Sequence, residues 1–275
     1  MKCNNFISED KNFTLYEGDT FKILPNLNEK FDLIFADPPY FLSNDGLSIQ
    51  SGKIVSVNKG KWDKDEGYMD EFNKTWLELA RDRLSDNGSI MISGTHHNIF
   101  SIGRNLQLLG YKILNIITWQ KTNPPPNFSC RYLTHSTEQI IWARKNEKNK
   151  HIFNYELMKK INGDKQMKDI WAFSAIAPWE KSAGKHPTQK PLALLIRLIL
   201  MASYENSLIL DPFSGSSTTG IAANLLNRKF IGIEQEKEFI SMSLKRKDEL
   251  DFDKKNILKK INDLKFIRSK DESVN

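Results

Sequence analysis

Two short loops carry residue types whose spacing suits chemistry. The first is Asp37-Pro38-Pro39-Tyr40, which directly follows an apolar run at 31–36. Two prolines fix φ and remove two backbone donors, so this turn is rigid and rich in acceptors. The Asp37 carboxylate and the Pro38 carbonyl can converge on one amino group, and Tyr40 offers a ring face to a planar base. An exocyclic adenine amine is a poor nucleophile because its lone pair is delocalised into the ring. Acceptors on both of its hydrogens favour a pyramidal nitrogen aimed at an electrophilic carbon, a form of electrostatic preorganisation. A proline turn with an Asp cap also accounts for the Pro-Pro pair, though not for Tyr40.

The second loop is Asp211-Pro212-Phe213-Ser214-Gly215-Ser216-Ser217-Thr218-Thr219-Gly220, between a strand and a helix. Gly215 and Gly220 have the spacing of a P-loop, but Ile221-Ala222 stands where Lys-Ser/Thr would handle phosphate and magnesium. The Gly-x-Gly-x-x-Gly dinucleotide pattern is also unmet. What remains is a turn of small residues that a ligand can approach closely. Glu234 ends the next strand, where related folds place an acid on ribose hydroxyls. Taken alone, the loop is also compatible with a plain tight strand-to-helix turn.

The elements that must position these loops alternate. Strands are expected at 13–16, 31–36, 89–93, 112–119, 139–143, 207–210 and 229–233, and helices at 70–84, 99–109, 191–203 and after 236. Short apolar strands between helices indicate a parallel-rich α/β sheet covered on both faces. In such a sheet ligands bind beyond the carboxyl ends of the strands, so Asp19, Asp37, Asp211 and Glu234 can line one crevice. Periodicity weakens from 123 to 185, and 145–185 reads as a loop-rich insert. The division expected is 1–144 for the catalytic part, 145–185 for target recognition and 186–275 for the cofactor-binding part. The polar stretch 43–60, with Gly46, Gly52 and Gly60, is expected to be mobile and to close over a base.

The chain has 275 residues, a net charge of +6 and two cysteines, Cys3 and Cys130. No apolar run approaches the ~20 residues of a membrane span. The polar N-terminus is expected to carry no signal peptide, and two cysteines suit a reducing, cytoplasmic setting. Cys130 is expected as a small packed side chain, and no metal site is expected. Residues 103–190 hold 15 Lys/Arg against 6 Asp/Glu, interleaved with Trp119, Phe128, Tyr132, Trp142, Trp171 and Trp179. Basic side chains neutralise phosphates and rings stack on bases, so this region reads either as a nucleic-acid surface or as a solvated basic surface over core aromatics. Lys121, Arg131, Arg144 and Lys145 are the candidate phosphate contacts.

Together the two loops resemble those of DNA amino-methyltransferases. Lys185-His186-Pro187-Thr188-Gln189-Lys190-Pro191 resembles the segment that precedes the cofactor loop in the β class, and the order of the three motifs is that of the class. The resemblance implies a doubly wound, Rossmann-like mixed sheet, S-adenosylmethionine as cofactor, double-stranded DNA as substrate (with single-stranded DNA besides), a homodimer and no metal. It places Asp37, Pro38, Pro39 and Tyr40 at the reacting amine. It places Asp19 and Thr20 near the adenine of the cofactor, Glu234 on its ribose, and His186, Pro187, Thr188, Asp211, Phe213, Ser214, Gly215, Ser216, Ser217, Thr218 and Thr219 around the rest, with Asp37 adjoining. Ser217 departs from the family, which usually has glycine there; its side chain is expected beside the cofactor and its φ to be negative.

Neither cysteine follows a proline, which excludes the cytosine-C5 nucleophile, so the acceptor is a nitrogen. Asp at position 37 resembles the adenine-N6 branch, with cytosine-N4 as the alternative and an inactive DNA-binding module on the same fold as the non-enzyme reading. The segments 41–44, 119–124, 130–132, 135–138 and 166–169 are similar to the second methyltransferases of DpnII-type restriction systems. That resemblance implies GATC as the target, with GAAGA- or GANTC-type sites as alternatives.

Overall fold

The apolar runs preceding the two loops become neighbouring strands at the centre of one sheet. The computed structural model describes residues 4–40, 47–50, 53–56, 68–127, 129–184 and 186–263. Its strands are β1 (Asn5–Ile7), β2 (Phe13–Glu17), β3 (Phe31–Ala36), β4 (Leu47–Gln50), β5 (Lys53–Ser56), β6 (Leu84–Gly94), β7 (Lys112–Lys121), β8 (Thr137–Arg144), β9 (Ile170–Phe173), β10 (Leu208–Asp211) and β11 (Lys229–Glu234). The helices are α1 (Thr20–Ile23), α2 (Met69–Arg83), α3 (Ile99–Leu108), α4 (Tyr155–Ile161), α5 (Leu192–Ala202), α6 (Thr218–Leu225) and α7 (Lys237–Asp263). The main sheet runs β1-β2-β11-β10-β3-β6-β8-β7-β9. Its central strands β2, β11, β10, β3 and β6 are parallel, β8 is antiparallel to both β6 and β7, and β1 is antiparallel to β2.

Continuous apolar strands need cover on both faces, and β3 shows how that is met. Leu33 and Phe35 enter one core with α5 and α6, while Ile34 and Ala36 enter the other with α2 and α3. Helix α5 is apolar nearly all round, and eight of its residues are buried, as expected of a helix enclosed by its neighbours. Strand β3 leads through α2 to β6 on one side, whereas β10 leads through α6 to β11 on the other. The connections leaving these adjacent strands diverge, and the crevice of a doubly wound sheet opens at that point.

Segment 145–185 is partly built into this frame. Strand β9 extends the sheet edge in parallel with β7, and Met158, Trp171 and Phe173 join the α5 core. The Asn154 amide fastens α4 to the end of α5 by donating to the Leu200 and Ser203 carbonyls at 2.6 and 2.9 Å. Two expectations need correction or fall away. Cys130 is exposed with φ of 52°, so it is no packed core residue. The polar stretch 43–60 lies largely outside the described residues; within it β4 and β5 pair antiparallel.

Candidate active site

The four acids singled out by the sequence follow or end four neighbouring strands. Asp19 follows β2, Glu234 ends β11, Asp211 ends β10 and Asp37 follows β3, and all four line one cavity. The 211–219 loop is tied on every side. Gly215 N–H donates to one Glu234 oxygen at 2.7 Å, and Glu236 N–H donates to the other at 2.8 Å. The Thr20 hydroxyl donates to the Pro212 carbonyl, joining α1 to the loop. The Asp19 side chain caps α1 by accepting from Phe21 N–H at 2.9 Å. Asp211 accepts from Thr219 hydroxyl at 2.6 Å and Phe213 N–H at 3.1 Å.

Gly215 has φ of 50°, and a Cβ there would meet the His186 ring at 2.9 Å, so a larger residue would be strained and would displace that ring. His186 packs edge-on against Phe239 of α7. Burial pushes the Asp211 carboxyl up to about 7, with the like charges of Asp37 and Glu234 adding to it. Burial also raises Glu234, against the hydrogen bonds it accepts. A cavity walled by these acids favours a cationic guest.

At the other end of the cavity Asp37 is already engaged. Its Oδ1 accepts from the Tyr40 hydroxyl at 2.7 Å and its Oδ2 from Lys190 Nζ at 2.5 Å. Lys190 Nζ lies 3.6 Å from Glu138 Oε2, and Glu138 Oε1 is held at 2.6 Å by Lys121. The Tyr40 hydroxyl also reaches Ser93 at 3.1 Å and Glu138 at 3.4 Å. Burial works against the Lys190 charge, but Asp37 and Glu138 hold its ammonium above the usual lysine range. Burial raises Glu138, and Lys190 with Lys121 more than reverses that. Burial, then Asp37 and Glu138, drives the Tyr40 phenol well above its usual value, so it stays neutral and donates.

The cavity brings together Asp19, Thr20, Asp37, Pro39, His186, Thr188, Asp211, Phe213, Ser214, Gly215, Ser216, Thr218, Thr219 and Glu234. Pro38, Tyr40, Pro187 and Ser217 do not line it. Tyr40 is 6% exposed with the Lys190 ammonium 5.3 Å over its ring, so the ring face expected to be open is covered. Ser217 corrects a second expectation: its φ is +54°, and its buried hydroxyl bonds that of Ser214 at 2.8 Å.

Arg144 and Lys145 lie apart from the cavity. Arg144 pairs with Ser89 and Lys112, and the Lys145 ammonium bonds the Leu84 carbonyl at 3.2 Å. That is the amino end of the central strands, and the run of β8 from Glu138 to Arg144 puts it about 20 Å from the catalytic end. Lys121 sits at the catalytic end but pairs with Glu138, and Arg131 is exposed there.

Sequence reasoning missed Lys190, Glu138 and the supports from α7. Ser243 donates to the Gly215 carbonyl at 3.0 Å, and Arg246 donates to the Ser216 carbonyl at 2.7 Å and the Thr218 hydroxyl at 2.8 Å. Glu138 had a signal, since it shares a strand face with the core residues Ile140 and Trp142. An acid in the register of a core face demands partners. Among the described residues no three His, Cys, Asp or Glu side chains are placed to hold a metal ion, and no helix is long and apolar enough to cross a membrane.

Comparison with known proteins adds to the geometry. Residues 31–245 match the family N6_N4_Mtase, described as DNA methylase. The chain is 59% identical over 248 residues to the Type II methyltransferase M2.MboI of Moraxella bovis, covering 89% of this chain and 91% of that one. It is 56% identical over 236 residues to the Type II methyltransferase M2.DpnII of Streptococcus pneumoniae, covering 84% and 88%. Among solved structures, the M1.HpyAVI-SAM complex superposes with a TM-score of 0.67 at 30% identity, covering 86% of this chain and 99% of that one.

Proposed function

The chain belongs to the N6/N4 DNA methylase family and is an S-adenosylmethionine-dependent DNA methyltransferase, and we propose that its acceptor is the N6 amine of adenine in GATC. The observation that carries this reading is that the Asp37 turn and the 211–219 loop end adjacent parallel strands and share one cavity. S-adenosylmethionine supplies a sulfonium methyl when bound, and the residues present suit it. Asp37, Asp211 and Glu234 favour a cation, and the Gly215 turn admits close approach beside His186.

This chain's residues then do three things. Glu234 and the α7 supports hold the loop in one conformation. A duplex hides the amine, so the base leaves the stack at a cost of a few kcal/mol and enters beside Pro39. Asp37 and the Pro38 carbonyl accept the two amine hydrogens, fixing the nitrogen lone pair toward the methyl carbon. The proton lost by the methylated amine passes by way of the Asp37 carboxylate to solvent.

GATC rests on the segments resembling DpnII-type second methyltransferases, and supporting it are the identities with M2.DpnII and M2.MboI. The test has two arms. Mass spectrometry of nucleosides from methylated DNA is expected to give N6-methyladenine; N4-methylcytosine would refute the acceptor assignment. Plasmid made with this protein in a methylation-free host is expected to resist an endonuclease blocked by adenine-methylated GATC. Complete cutting of DNA shown to carry methyl groups elsewhere would eliminate GATC.

A further inference from the structure

Lys121, Glu138, Lys190 and Asp37 form a row of alternating charge from the protein rim to the reacting centre. Lys121 to Glu138 is 2.6 Å, Glu138 to Lys190 is 3.6 Å and Lys190 to Asp37 is 2.5 Å. Lys190 is 6% exposed at its side chain, whereas Lys121 at the outer end is 21% exposed. The Lys190 ammonium stands against the carboxylate that the preceding section assigns to the amine, and above the Tyr40 ring.

A neutral amine cannot displace an ammonium from a carboxylate unaided, because charge-assisted bonds are roughly twice as strong as neutral ones. The ammonium needs another anion. Glu138 offers one from the same Nζ, so the transfer is a shift of about 1 Å toward ordinary ion-pair distance. What holds Glu138 back is Lys121, and a DNA phosphate competes for Lys121. With Lys121 drawn to phosphate, Glu138 is a buried, undercompensated charge, and Lys190 is the cation beside it. Asp37 is then left with the Tyr40 hydroxyl on Oδ1 and its Oδ2 open.

We propose that Lys190 is a positioning residue with two seats, Asp37 in the DNA-free protein and Glu138 in the engaged complex, so that DNA contact at Lys121 frees Asp37 for the amine. No proton moves in this exchange, and Lys190 remains an ammonium throughout. The row is neutral with all four members. Without Lys121 it carries one net negative charge, facing the nitrogen on which positive charge develops. The inference rests on Asp37 as the acceptor of the amine.

The experiment is single-turnover transfer of a tritiated methyl group to saturating unmethylated duplex, from about pH 6 to about pH 9, with wild type, Asp37→Ala, Glu138→Gln and Lys190→Met. Asp37→Ala tests the underlying reading by itself: it is expected to be inactive at every pH, and turnover near wild type would overturn that reading. Glu138→Gln removes the second seat and leaves Lys190 on Asp37. Its rate is expected to fall about tenfold or more at every pH, with cofactor affinity unchanged and duplex affinity no weaker than wild type, since Lys121 is released for phosphate. A wild-type rate in Glu138→Gln, with Asp37→Ala inactive, would overturn the two-seat inference alone.

Lys190→Met supplies a second readout that holds even if Glu138→Gln fails to fold. The charged or titratable groups facing Asp37 are Lys190 before α5, Tyr40 on its own loop, Asp211 of β10 and, through Tyr40 and Lys190, Glu138 of β8. Losing the cation removes the one ammonium held against the Asp37 carboxylate, so acid is expected to suppress methyl transfer in this variant more than in wild type. The variant is expected to lose rate at about pH 6 and recover toward wild type near pH 9, moving the acid limb upward. A pH profile unchanged from wild type would refute the role of Lys190, because a merely structural lysine would not set that limb.

Discussion

The Glu234 carboxylate at the end of β11 accepts the Gly215 N–H at 2.7 Å, so the acid expected to receive the cofactor ribose also shapes the 211–219 loop that lines the same cavity. Its second oxygen caps the chain ahead of α7 through Glu236 N–H. Glu234→Ala removes both bonds and leaves the buried Gly215 N–H without a partner, a loss of about 1–3 kcal/mol, whereas Glu236 is exposed. The expected result is cofactor affinity reduced by more than tenfold and a lower melting temperature, read by calorimetry. Glu234→Gln keeps one carbonyl acceptor and should fall between the two. Unchanged affinity in the alanine variant would remove Glu234 from the site.

Asp211 gives the cofactor site a pH dependence. Its folded value of about 7 lies above its ordinary value of 3.8, so the folded state favours the protonated form. For such an acid the unfolded chain releases its proton first, and stability falls as pH rises from about 4 to about 7. Asp211→Asn can still accept from Phe213 or Thr219 and carries no such penalty. The melting temperature of Asp211→Asn relative to wild type is therefore expected to rise between about pH 5 and about pH 8. A constant difference across that range would contradict a titration at Asp211.

Ser217 sets two small effects against each other. A non-glycine residue at φ of +54° costs about 1–2 kcal/mol, and glycine there would relieve it. The same change deletes the 2.8 Å bond to Ser214, a net contribution near 1 kcal/mol. Ser217→Gly is thus expected to alter stability by no more than about 1 kcal/mol. Because the Ser217 side chain is buried and does not line the cavity, cofactor affinity should be unchanged; a substantial gain in affinity would place that side chain against the cofactor after all.

How far the sequence speaks depends on whether a signal is local. Asp37-Pro38-Pro39-Tyr40 and the 211–220 turn are contiguous, and the apolar runs before them announce buried strands, so the crevice and its four acids were legible. Helices α2, α3 and α5 fall within a residue or so of expectation because their apolar spacing is regular. Strand β9 was not legible: Ile170–Phe173 is four residues long and owes its state to pairing with β7 across the sheet edge. The cover over Asp37 was equally hidden, since Lys190 and Asp37 are 153 positions apart and meet only in the folded chain. The place of Arg144 at the far edge was hidden for the same reason. Its position depends on β8 running antiparallel to β6, which reverses the end of the sheet it occupies.

That reversal yields the last prediction. Phosphate contacts lower the salt dependence of binding when removed, by about 0.9 in the log–log slope for each contact on duplex DNA. Arg131 is exposed on the loop before β8, and Lys121 ends β7, both at the catalytic edge. Arg131→Gln and Lys121→Gln are each expected to reduce the slope by about one, whereas Arg144→Gln and Lys145→Gln at the far edge should leave it unchanged. Tyr132 supplies a control of a different kind. It is 62% exposed and stands 5.4 Å from His135, which stacks on His96 at 4.8 Å, a ladder of rings beside the end of β6. Ring–base stacking carries no counterion release, so Tyr132→Ala should weaken binding by about 1–3 kcal/mol with the slope intact. Fluorescence anisotropy titrations at several salt concentrations separate these outcomes. A reduced slope in Arg144→Gln, with Arg131→Gln unaffected, would move the DNA to the opposite edge of the sheet.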